Sequence, residues 1–191
     1  MGASTYEASD WVTPANLITI ARLLLTPVLL VMILSIGPAY STLAVGFVIA
    51  ISDAFDGALA RKQGVTRSGA FLDPLADKVL VLGSCFALVA IERFWVVPVL
   101  LITARELVIS AYRSIWARRS LALPASKGAK IKTLVQEFAV AFALVPEIDE
   151  GARWIPALVL WTAVALTLVT GARYLLAGRR AMSETGKGGG Q

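Results

Sequence analysis

Residues 53 to 77 read DAFDGALARKQGVTRSGAFLDPLAD and hold four aspartates. Asp53, Asp56 and Ala60 are spaced i, i+3 and i+7, so a helix carries them on one face. Gly69, Asp73 and Asp77 are spaced i, i+4 and i+8, again one face if the helix reaches back to Gly69. Two antiparallel helices joined by a short turn would bring the acidic faces together. Carboxylates crowded at low dielectric cannot all stay ionised unless positive charge compensates them. Basic side chains or bound metal supply that charge. An all-oxygen ligand set favours a hard cation, Mg2+ or Mn2+. Gly57 and Gly69 flank the acids, and glycine inside a helix marks close approach by a backbone or a ligand; ordinary helix packing uses it in the same way.

The rest of the composition narrows the chemistry. The chain has 191 residues, no histidine and one cysteine, Cys85. Ser-His-Asp and Cys-His catalysis and histidine-ligated zinc are therefore excluded, as is a disulfide within the chain. Hydrophobic residues make up 57% of the sequence, and the mean hydropathy is +0.73, more than a soluble domain of this length needs. The apolar residues come in runs long enough to cross a bilayer as helices. In that setting a plainer account of the aspartates pairs them, as helix-end charges, with Arg61, Lys62, Arg67 or Lys78. Four acids on two matched faces exceed what that account explains, and acids inside a membrane mark functional sites.

The fold expected is an all-α integral membrane protein with six transmembrane helices. They fall at roughly 15–36, 41–62, 73–91, 94–117, 129–146 and 153–177, in one catalytic domain over 1–178 followed by a disordered tail over 179–191. Pro14 suits a first helical turn, and Gly37-Pro38 ends the first span. Trp95, Trp116 and Trp154 fall near proposed ends, as interfacial tryptophans do. No basic residue precedes the first apolar run, so a cleaved leader is not expected. The net charge of +5 sits in short loops, which favours lipid headgroups over nucleic acid as its partner. Arg61, Lys62 and Arg67 fill one break, Arg118 to Lys132 another, and Arg179, Arg180 and Lys187 the tail. The opposite breaks are neutral or acidic. The basic side, both termini and the four aspartates are thus assigned to the cytoplasmic face of the cell's inner membrane.

Asp53-x-x-Asp56-Gly57-x-x-Ala60-Arg61, seven residues, then Gly69-x-x-x-Asp73-x-x-x-Asp77 resembles the complete signature of the CDP-alcohol phosphotransferase family. The resemblance implies a six-helix membrane enzyme, expected as a homodimer, that moves a phosphatidyl group from a CDP-linked lipid to an alcohol and releases CMP. It implies two divalent ions, Mg2+ or Mn2+, held by Asp53, Asp56, Asp73 and Asp77, with Asp77 as the base. It assigns Gly57, Ala60, Arg61 and Gly69 to the CDP donor, with Arg61 facing a donor phosphate.

The acceptor is read from the second half. Arg105 and Arg113 lie eight apart, close to one helical face, and Lys130 and Lys132 flank a helix start, where N–H groups also favour anions. Such cations suit an acceptor that carries its own phosphate; ordinary loop charge explains the lysines equally well if taken alone. Arg105 and its neighbour Glu106 are expected to point in different directions. The Thr103-Ala104-Arg105-Glu106 and Gly128-Ala129-Lys130-Ile131-Lys132-Thr133 runs, with Asn16-Leu17-Ile18-Thr19-x-x-Arg22, resemble the phosphatidylglycerophosphate synthase branch. That branch implies CDP-diacylglycerol as donor and sn-glycerol 3-phosphate as acceptor. The alternatives within the family are inositol phosphate, or phosphatidylglycerol as in a cardiolipin synthase. A small cation transporter is the alternative from another class, although acids near one face and the lack of an internal repeat argue against it. The charge pattern makes a topological prediction. A reporter joined after residue 191 should read out in the cytoplasm and one placed within 147–153 on the far side; the reverse pattern would overturn the orientation.

Overall fold

The computed structural model describes the backbone of residues 14–63, 67–118 and 127–187, and the side chains of 17–52, 75–112, 114 and 131–176. Among the described residues there are seven helices and no strands: α1 (Pro14–Ser35), α2 (Tyr40–Gln63), α3 (Arg67–Ala90), α4 (Val96–Arg118), α5 (Lys127–Leu144), α6 (Pro146–Gly151) and α7 (Trp154–Lys187). Six of them answer to the six expected helices. α3 starts well before residue 73, so its backbone is helical through Gly69, as a shared face for Gly69, Asp73 and Asp77 requires. α7 runs to Lys187, into the segment expected to be a tail.

The ends follow local chemistry. α1 stops where Gly37 adopts a left-handed φ of +78°, and the Gly37 amide caps the Met32 carbonyl at 3.1 Å. Inside α1, Pro27 has no N–H to offer the Leu23 carbonyl, and the Thr26 hydroxyl beside it donates to the Arg22 carbonyl at 2.8 Å. Two residues past the end of α3, Glu92 takes a φ of 61° and serves the same purpose as Gly37 without glycine's freedom. The Arg93 amide then reaches back to the Leu88 carbonyl at 2.8 Å.

The short helix α6 was not expected. Val145, directly before Pro146, is extended (φ −77°, ψ 119°), because a residue that precedes proline avoids the helical region. α5 therefore ends at Leu144, and Pro146 opens a new helix with Glu147 and Asp149 in its first turn, where the helix dipole favours acids.

The chain forms two compact units. The first holds α1, α2, α3 and residues 140–153; the second holds residues 95–139 and α7 from Trp154. In the first, α1 packs against both α2 and α3. Its buried stripe is Thr19, Arg22, Thr26, Leu29 and Ile33, at helical spacing. A Cβ on Gly83 of α3 would lie 3.1 Å from Leu30, so glycine there sets how closely α1 and α3 approach. α6 closes the end where α1 meets α2: the Tyr40 hydroxyl donates to Glu147, and Asp149 pairs with Arg93 at 2.8 Å and with Arg153 at 3.3 Å. The Tyr40 contact holds the Glu147 carboxyl below its ordinary range and pushes the Tyr40 phenol above its own. Its small contribution is therefore lost as pH falls through the lowered Glu147 value, or rises through the raised Tyr40 value. In the second unit α4 packs against α7, and Val99 and Ile102 of α4 and Leu160, Ala163 and Val164 of α7 are buried.

Apolar side chains lie outside as well as in the core. Leu24, Val31, Phe47, Val48, Leu107, Val108 and Leu158 face outward, and Thr19, Arg22, Thr42, Ser84, Lys132, Gln136 and Thr167 are buried beside the apolar core. Two windows, Leu17–Ser35 and Trp154–Leu176, are long and apolar enough to cross a membrane; in α2 the apolar stretch Tyr40–Ser52 is shorter. Trp95 and Trp154 stand exposed at the starts of α4 and α7, as interfacial anchors do. The left-handed Glu92 supplies a stability test. Glu92→Gly should stabilise by about 0.5–1 kcal/mol and Glu92→Val should destabilise, read as thermal midpoints in detergent. Equal midpoints would contradict the capping role.

Candidate active site

The acid signature spans the end of α2 and the start of α3. Helical backbone runs through Asp53, Asp56, Gly57, Ala60 and Arg61 on α2, and through Gly69, Asp73 and Asp77 on α3. Both spacings on which the shared acidic faces depend are therefore those of real helices. Of these eight side chains only Asp77, half-buried, is among the described residues.

Helix register places the acids in depth. Gly46 of α2 lies against Leu29, and Gly83 of α3 against the neighbouring Leu30. Short links of residues 36–39 and 64–66 make α1, α2 and α3 alternate in direction. Seven residues of helix rise about 10 Å. Seven back along α1 from Leu29 is Arg22, seven forward along α2 from Gly46 is Asp53, and seven back along α3 from Gly83 is Ala76, next to Asp77. Arg22, only 1% exposed, thus lies at the depth at which the acid signature begins. A buried arginine persists only where charge or hydrogen bonding compensates it. Thr19 and Arg22 entered the sequence reading as part of the run that opens α1; their burial in the α1 stripe is what the structure adds.

The second unit holds the cations assigned to the acceptor. Arg105, on α4, donates from Nη1 to Glu106 Oε1 at 2.8 Å and from Nη2 to Thr170 Oγ1 on α7 at 3.0 Å. Lys132, on α5 and 6% exposed, bonds the same Glu106 oxygen. One turn further along α5, Gln136 donates to Thr167 of α7 at 3.2 Å. Arg113 lies on α4 and Lys130 in the first turn of α5; their side chains are outside the described residues.

One expectation is corrected. Arg105 and Glu106 do not diverge: the guanidinium turns back onto its neighbour's carboxylate. Adjacent Cβ atoms do point apart, but three methylenes let an arginine head swing across that angle, and a carboxylate in a low dielectric is worth reaching. Glu106, Gln136, Thr167, Thr170 and Gly171 were missed as site residues. The available signal was polar residues at i, i+3 and i+4 spacing inside apolar runs, Lys132 with Gln136 and Thr167 with Thr170, with the small Gly171 beside the latter.

A family described as CDP-alcohol phosphatidyltransferase matches residues 12–169, and the chain belongs to that family. It is a phosphatidyltransferase, and the family is membrane-associated. The CDP-diacylglycerol–glycerol-3-phosphate 3-phosphatidyltransferase of Rickettsia typhi is 36% identical over 170 residues, covering 85% of this chain and 94% of that protein. A probable phosphatidylglycerophosphate synthase of Mycobacterium tuberculosis is 37% identical over 169 residues, covering 84% and 79%. The Bacillus subtilis CDP-diacylglycerol–glycerol-3-phosphate 3-phosphatidyltransferase is 35% identical over 176 residues, covering 83% and 91%.

The depth of Arg22 can be tested directly. Arg22→Met should lower stability by about 3 kcal/mol, because the buried groups that compensate the guanidinium lose it. Thermal unfolding of the purified variant reads this out, and a wild-type midpoint would contradict the placement.

Proposed function

We propose that the chain transfers the phosphatidyl group of CDP-diacylglycerol to sn-glycerol 3-phosphate, giving phosphatidylglycerophosphate and CMP. The family and the names of the relatives support the donor and the reaction type. The observation that carries the acceptor is the convergence of two nearly buried cations, Arg105 and Lys132, on one carboxylate oxygen. A guanidinium beside an ammonium suits an acceptor with its own phosphate, with Arg113 and Lys130 as further ligands.

Asp53, Asp56, Asp73 and Asp77 would hold two divalent cations, Mg2+ or Mn2+. The donor set is all oxygen, and helical backbone carries all four positions, so the residues fit hard ions. The chemistry such ions supply is polarisation of the diphosphate oxygens and neutralisation of the charge that develops on CMP. The protein's own groups do the rest. In this reading Arg61 is assigned to a donor phosphate, and Gly57, Ala60 and Gly69 to the CDP moiety. Asp77 takes the proton of the acceptor's hydroxyl as its oxygen attacks the phosphatidyl phosphorus. The bond from that phosphorus to the CMP oxygen breaks, and CMP leaves. The proposal includes six membrane crossings in the cell's inner membrane, with the aspartates and both termini on the cytoplasmic side. Outward apolar faces and buried polar groups support the membrane part, and the basic loops support the orientation. A homodimer is proposed from the family resemblance alone.

An acceptor panel with labelled CDP-diacylglycerol tests the reading. CMP release should require Mg2+ or Mn2+ and rise with glycerol 3-phosphate above a no-acceptor control and above inositol phosphate or phosphatidylglycerol. Glycerol 3-phosphate at the control level would reject the acceptor. Asp77→Asn and Asp73→Asn should each lower kcat by about 100-fold or more. Wild-type turnover by either would reject the assignment of that aspartate, and release of no CMP with any acceptor would favour a transporter.

A further inference from the structure

We infer that Glu106 is the positioning residue of the acceptor site, holding the Arg105 and Lys132 heads at the separation a phosphate needs. The inference rests on the proposal that those two cations receive the acceptor's phosphate.

Three observations carry it. First, a single oxygen, Glu106 Oε1, accepts from both the Arg105 guanidinium and the Lys132 ammonium. Two cations this close repel each other, and in a dry environment that repulsion is strong. The side chains of Arg105, Glu106 and Lys132 are only 11%, 13% and 7% exposed, so water screens little of it. The carboxylate is what keeps the heads together. Second, the guanidinium is held from its other side. Thr170 Oγ1 donates to the Leu166 carbonyl at 2.7 Å, which leaves its lone pair to accept from Arg105 Nη2 at 3.0 Å. Glu106 and Thr170 thereby fix the plane of a group that recognises phosphate by geometry.

Third, Gly171 makes the fit possible. A Cβ there would sit 3.0 Å from Arg105 Nε and 3.3 Å from its Cγ. Glycine is thus the residue that lets the Arg105 side chain pass close to α7 beside Thr170. Glu106 does not itself need to touch the acceptor. It acts through Arg105 and Lys132, and the site loses definition when it is neutralised.

The test uses the full chain in lipid nanodiscs, with CMP release measured against glycerol 3-phosphate and against CDP-diacylglycerol separately. Glu106→Gln keeps the shape and removes the charge. Its KM for glycerol 3-phosphate should rise roughly tenfold or more, with the KM for CDP-diacylglycerol changed less than about twofold. Glu106→Asp should recover part of the loss. Gly171→Ala, which displaces Arg105 with the carboxylate intact, should raise the same KM. Arg105→Gln separates the two ideas. If Arg105→Gln raises the acceptor KM and Glu106→Gln does not, the positioning role falls and the acceptor site stands. If neither changes it, both fall. A loss shared by both substrates and not recovered by Glu106→Asp would mark a merely structural role and overturn the inference. Should Glu106→Gln fail to fold, unchanged acceptor KM values in Glu106→Asp and Gly171→Ala would overturn it as well.

Discussion

A charge buried among apolar helices must be held by another group, and much of this structure follows from that requirement. Leucines, valines and phenylalanines cover the outside, where they need no partner. Polar groups are turned inward, where each needs one. Arg105 and Lys132 meet Glu106, Gln136 meets Thr167, and Arg22 is enclosed in the α1 stripe. On α1 the buried stripe passes from Ile33 and Leu29 to Thr26, Arg22 and Thr19, apolar toward one end and polar toward the other. The apolar end supplies packing, and the polar end holds groups that can do chemistry.

Small residues make that division possible. Gly83 lets α3 approach Leu30 of α1, and Gly46 of α2 lies against the neighbouring Leu29, the register that puts Arg22 and Asp53 at one depth. Gly171 does for α7 what Gly83 does for α3, except that the neighbour it admits is a guanidinium. At the other end of the first unit, α6 joins α2 and the turn after α3 through Tyr40, Arg93 and Asp149, well away from the acid signature. The Tyr40–Glu147 hydrogen bond is exposed and contributes little energy, whereas the Arg93–Asp149 pair is largely shielded from water. They fix how the connections run.

Much of this was legible in the sequence, for specific reasons. Long apolar runs with glycine, proline and basic breaks located the six long helices; the third was expected at 73–91, with Gly69 on its face only if the helix ran further back, and the backbone is helical from Arg67. The acid signature identified the family. Two things were not legible. The break at Val145 and the helix α6 depend on Pro146, which was read as part of a longer α5 because the surrounding residues are apolar. The Arg105–Glu106 contact was lost because side-chain direction was inferred from Cβ geometry, which holds for short side chains and fails for arginine. Partners distant in sequence, such as Thr170 for Arg105, follow from packing of α4 against α7, and no local pattern contains that.

The most direct test of the central claim follows the acceptor's phosphate. The chain, CDP-diacylglycerol, Mg2+ and sn-glycerol 3-phosphate labelled in its phosphate are incubated, and the lipid fraction is examined by mass spectrometry. The account predicts a lipid product that carries the label, formed in step with CMP, because the cations hold that phosphate and the reaction leaves it intact. CMP release with the label remaining wholly in the water-soluble fraction would contradict it.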